Sequence, residues 1–85
     1  MVQAETKRGF QYTLTDERLD DFETVELLME AERDPSKIIY AAQRLLGDDQ
    51  YQSLKEHIRK DGKISTVAMM EEINDILLGS QTAKN

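Results

Sequence analysis

Four stretches of the chain repeat apolar residues at three- and four-residue intervals, the spacing that gathers side chains onto one face of an α-helix. The first carries Leu19, Phe22, Val25, Leu28 and Met29, and the second Ile38, Ile39, Ala42, Leu45 and Leu46. The third carries Tyr51, Leu54 and Ile58, and the fourth Val67, Met69, Met70, Ile73, Ile76 and Leu77. Asp34-Pro35 reads as the N-cap and first position of the second helix, because proline suits a first helical turn and turns the residue before it away from helix. Gly47 reads as the left-handed glycine that closes this helix, Asp48 or Asp49 as the cap of the third, and Gly62 as its stop. Ser65 then caps the fourth helix and Gly79 ends it. The first helix has two candidate starts, one capped by Thr15 or Asp16 and a later one capped by Asp20, and it should finish by Arg33.

Upstream of the helices, Phe10, Tyr12 and Leu14 alternate with Gln11 and Thr13, placing three apolar side chains on one side of an extended segment. A lone strand leaves both edges unpaired, and no second strand pattern is visible, so an extended arm laid across the helices, or disorder, is favoured over a strand. The expected fold is all-α, a compact small domain of about four helices with an extended N-terminal arm. Residues 1–9 are assigned to a flexible N-terminal segment, 10–79 to the helical protein-binding domain and 80–85 to a flexible C-terminal tail.

Length and charge narrow what such a domain does. A chain of 85 residues holds one core, and a core of this size leaves little stability to spare, so burial against a partner or a second copy would add to it. Seventeen acidic against eleven basic residues give a net charge of -6, which opposes binding to a phosphate backbone and favours protein partners. The basic residues best placed for nucleic acid, Lys55, Arg59, Lys60 and Lys63, sit beside Glu56 and Asp61, and at a helix end they complement the dipole. There is no cysteine, hence neither disulfide nor thiolate zinc site. Met1 to Arg8 is polar, and no apolar run approaches the length of a membrane span, so a soluble intracellular protein is expected.

Chemistry is sparse. His57 is the only histidine and has no thiol to activate; the acids from Asp16 to Glu26 read as a solvated helical face; the glycines lie too far apart to cradle a phosphate. No calcium-loop spacing occurs. The expectation is a protein without catalytic residues, cofactor or metal. Candidate partner contacts are Phe22, Val25, Leu28 and Met29 on the first helix and Met69, Met70 and Ile73 on the fourth, since methionine adapts its shape to varied apolar segments; each residue also suits a core. On residues alone the function is protein interaction or regulation, with nucleic-acid association the weaker form of it.

Three ordered segments bring in a known group. Leu19-Asp20-Asp21-Phe22-Glu23 runs on into Glu26-Leu27-Leu28; Leu45-Leu46-Gly47-Asp48-Asp49-Gln50-Tyr51 is followed by Leu54-Lys55-Glu56-His57; and Asp61-Gly62-Lys63-Ile64-Ser65 leads through Glu71-Glu72-Ile73 to Ile76-Leu77. In this order the chain resembles the tail assembly chaperones of long-tailed bacteriophages and related prophages, over about residues 10–78. Phe22 departs from the tryptophan frequent at that place but keeps an aromatic there. The resemblance implies a chaperone of the host cell cytoplasm that binds the long, helical tape measure protein, keeps it soluble and helps tail tube protein assemble around it. It implies no catalytic residue, and self-association is a further expectation, because one small subunit offers little surface to a long partner.

Overall fold

The structure is a computed structural model that describes residues 1–83, with side-chain surroundings through Ser80. It is mostly helical but not all-α: among the described residues a two-stranded antiparallel sheet precedes five helices. Strand β1 (Val2–Glu5) pairs with β2 (Gln11–Leu14) in the register Val2↔Leu14, Gln3↔Thr13, Ala4↔Tyr12 and Glu5↔Gln11. The turn between them is closed by Gly9 N–H donating to the Thr6 carbonyl and Thr6 N–H donating to the Phe10 carbonyl, both at 2.9 Å. Gly9 has φ +88°, as the last residue of a three-residue hairpin loop requires. The arm is therefore one half of a hairpin, and residues 1–9, assigned from sequence to a flexible segment, supply the other strand and the turn.

Tertiary bonds explain why β1 escaped the pattern. Its only apolar residues are Val2 and Ala4, each half-buried, too few for a recognisable alternation. The hairpin is instead fastened at its turn to the last helix: Thr6 Oγ1–H donates to Glu72 Oε1 (2.7 Å), Lys7 N–H donates to Asp75 (2.9 Å), and Arg8 pairs with Glu71. Phe10, Tyr12 and Leu14 turn together into the core, as their alternation indicated.

The first apolar stretch forms two helices, because it is capped twice, at the expected Thr15 and again one residue beyond the expected Asp20. Thr15 Oγ1 accepts from Arg18 N–H to start α1 (Asp16–Leu19), and Asp21, not Asp20, accepts from Glu23 N–H to start α2 (Phe22–Glu30). Helix α3 (Lys37–Leu46) follows a first tight turn in which Asp34 Oδ1 accepts from Ser36 N–H and Oγ–H. Gly47 joins it to α4 (Asp48–Ile58) with φ +82° and ψ +162°, a positive φ as expected but in an extended region open essentially to glycine alone. Gly62 does not stop α4. Asp61 (φ +54°) and Gly62 (φ +77°) have the two positive φ values of a type I′ turn, and Lys60 and Lys63 exchange backbone hydrogen bonds across it at 2.8 and 3.0 Å.

Helix α5 (Thr66–Ala83) runs straight through Gly79, so neither the expected stop there nor a tail beginning at residue 80 holds; Ser80 is buried with its hydroxyl bonded to the Leu77 carbonyl. The remaining tail residues, Lys84 and Asn85, lie outside the described residues. A Cβ at position 79 would stand 3.0 Å from the Tyr12 hydroxyl. That is tighter than an ordinary contact, so a side chain at this position would press on the hairpin where it meets α5. Helix α3 is the hub, packing on α1, α2, α4, α5 and β2. Its fully buried Ala41 and Ala42 permit close approach, while Leu45, Leu46, Leu54, Ile73, Ile76 and Leu14 fill the space around them.

Candidate protein-binding surface

Helix α2 is held at its first turn and left open on its far side. Asp21 there accepts three kinds of hydrogen bond: from Glu23 N–H (3.1 Å), from the Thr24 hydroxyl (3.1 Å) and from Arg44 Nε of α3 (2.9 Å). The local surroundings of Asp21 pull its pKa up by desolvation, but the bonds from Arg44, Thr24 and Glu23 outweigh this and hold the carboxyl below its ordinary value. Arg44 also reaches Glu23 at 3.4 Å. Thr24, buried, and Leu27 and Leu28, half-buried, form the face that packs inward.

On the opposite side the spacing of three and then four residues aligns Phe22, Val25 and Met29. Phe22 is 73% and Met29 68% exposed, with Val25 half-buried between them. Glu26 and Glu30, both exposed, stand on the same open side as this stripe. An aromatic and a methionine left in water on one face of a short helix, with Val25 between them, form an apolar patch that the core does not require.

Of the contacts proposed from sequence, Phe22, Val25 and Met29 thus share one accessible surface, and Leu28 lies at its inner margin against the core. The fourth-helix residues do not join it. Met69 and Ile73 are core residues and Met70 packs half-buried against the core, because their side of α5 faces inward. The residue of the fourth stripe that does reach solvent is Val67, 70% exposed. Sequence periodicity missed Tyr40, an exposed ring on α3 with the Lys37 ammonium 5.7 Å from its centroid; no apolar repeat includes it.

Two of the remaining candidate groups, His57 and Arg59, have partners within the chain. His57 Nε2–H donates to the Arg8 carbonyl at 3.1 Å, and its ring lies 5.6 Å from that of Phe10, so it braces the hairpin turn against α4. Arg59 is bonded to Glu56 at 3.0 Å. Among the described residues no cluster of three or more histidine, cysteine or acidic side chains is arranged to hold a metal, and no helix is long and apolar enough to cross a membrane. Compared with known proteins, the chain matches no family model, no curated protein and no solved structure.

Proposed function

We propose that the chain is a non-enzymatic tail assembly chaperone of a long-tailed bacteriophage or related prophage, which binds the tape measure protein in the host cytoplasm, keeps it soluble and aids tail tube assembly. The observation that carries this reading is the open Phe22, Val25 and Met29 stripe on a helix whose inward face is already satisfied. It spans about two turns, on the order of 10 Å, and so matches a short apolar face on a partner helix rather than a deep ligand pocket. The chaperone works by reversible burial: the stripe covers apolar residues of the client that would otherwise meet each other, and the neighbouring acids keep the free chaperone from associating through the same patch. No covalent step, cofactor or metal enters. Many copies acting along one client answer the mismatch between a small subunit and a long partner.

The test is co-expression with a long helical tape measure product, reading the soluble fraction of that product. The unaltered chain is expected to raise it severalfold, and a Phe22→Asp, Met29→Asp variant to abolish the gain while keeping the same circular dichroism spectrum and melting temperature. A client whose solubility ignores the chaperone, or a double variant as effective as the original, refutes the proposal.

A further inference from the structure

The free edge of β1 carries hydrogen-bonding groups turned away from the rest of the molecule. On the other edge of the hairpin, the Gln50 side chain acts as a substitute strand: Thr13 N–H donates to Gln50 Oε1 (2.7 Å), and Gln50 Nε2–H donates to the Thr13 carbonyl (2.8 Å). The backbone groups of Thr13 therefore point away from β1. In an antiparallel ladder two residues that face each other turn their groups either both inward or both outward, and Thr13 faces Gln3. Gln3 N–H and C=O accordingly point outward from β1, and so do those of Glu5, two residues on. No loop, helix or side chain among the described residues bonds them.

We infer that this edge pairs with the same edge of a second copy, joining two hairpins into a four-stranded antiparallel sheet. The sequence Val2-Gln3-Ala4-Glu5 is self-complementary in one register, with the two-fold axis at Ala4. Gln3 of each copy then lies opposite Glu5 of the other, and each such pair exchanges both of its backbone bonds. Ala4 meets Ala4 at the closely spaced position, where a small side chain fits. On the outer face, where Gln3 and Glu5 are exposed, the Gln3 carboxamide donates to the Glu5 carboxylate of the other copy, so no two glutamates stand opposed. Pairing also shelters the half-buried Val2 and Ala4 and removes the limit on a hairpin of only two strands. The strip is short and both copies are acidic, so the dimer is a weak one that salt strengthens.

Sedimentation velocity of the full chain from low to high micromolar concentration is expected to show reversible conversion of monomer to dimer. Gln3→Pro removes an outward donor without touching the bonds that Val2 and Ala4 make within the hairpin, and should weaken association about tenfold or more. Gln3→Lys, opposite Glu5, should tighten the dimer and Gln3→Glu loosen it; this pair decides the matter even if the proline variant fails to fold. Ala4→Cys, in a chain without native cysteine, should oxidise to a covalent dimer. A chain that stays monomeric throughout, or a dimer indifferent to the charge at position 3, overturns the inference. Phe22 lies outside this edge, so Phe22→Asp should leave the dimer intact, which keeps the fate of this inference separate from that of client binding.

Discussion

Helices α2 and α5 carry apolar residues at the same spacings and both include methionine, yet one presents that stripe to water and the other buries it. What separates them is the number of sides on which each is covered. Helix α5 meets α3 and α4 and is overlaid by the hairpin, which reaches it through Thr6, Lys7, Arg8 and Tyr12. Helix α2 packs chiefly on α3, through its Thr24, Leu27 and Leu28 face, and is pinned at one end by Arg44. Burial on one side uses only part of an apolar circumference. What remains on α2 is a surface of neighbouring apolar residues, whereas on the described part of α5 the large apolar side chains left in water are Val67 and Leu78, eleven residues apart.

The largest expected effect comes from truncating the same kind of position in each helix. Ile73, 1% exposed on α5, should cost about 2–5 kcal/mol when changed to alanine, because the lost contacts leave a cavity that rigid neighbours do not fill. Phe22→Ala on α2 should change stability by no more than about 0.5 kcal/mol, although more apolar volume is removed. Urea denaturation of the two variants measures both. Similar losses would mean that Phe22 is part of the core and would remove the proposed docking stripe.

A smaller effect tests how α5 is covered. A glycine inside a helix ordinarily gains about 1 kcal/mol when changed to alanine. At Gly79 that gain should be absent or reversed, since the new Cβ would lie 3.0 Å from the hydroxyl of Tyr12, whose ring is fixed in the core. In a Tyr12→Phe background the contacting oxygen is gone, and Gly79→Ala should become favourable by about 1 kcal/mol relative to its effect in the original chain. A double-mutant cycle by thermal melting reads this coupling directly. Additive effects would show that the hairpin does not press on α5.

These two helices also show what sequence can and cannot reveal. The helical segments, the alternation of Phe10, Tyr12 and Leu14, and the positive φ at Gly47 were legible because each is set by neighbours a few residues away. Strand β1 was not, since Val2 and Ala4 become a strand only through β2 and through a turn held by Glu72 and Asp75, some seventy residues on. Gly79 looked like punctuation because a glycine that ends a helix and one that makes room for a tyrosine are the same letter. The candidate surface was half legible for a related reason. Periodicity marked Phe22, Val25 and Met29 together with Met69 and Ile73, but which stripe is covered depends on the packing partners of each helix, and periodicity does not name them.

The smallest predicted effect concerns the hold on α2. Asp21→Asn keeps a side-chain oxygen to cap Glu23 N–H but loses the charge that Arg44 meets at 2.9 Å. Because the folded-state pKa of Asp21 lies below its ordinary value of 3.8, its charge favours the folded state above that value, and the contribution disappears as pH falls through the folded-state pKa. The original chain should therefore melt slightly above the variant at neutral pH, and the two curves should converge in acid. Arg44 is partly exposed, so added salt should narrow the neutral-pH gap as well. The proposed client binding offers the sharper comparison. If Arg44 and Asp21 only anchor α2, then Asp21→Asn leaves the soluble yield of the client unchanged while Phe22→Asp with Met29→Asp removes it. A loss of yield from Asp21→Asn, with folding intact, would instead place the anchored turn within the binding surface and extend that surface from the stripe to the base of the helix.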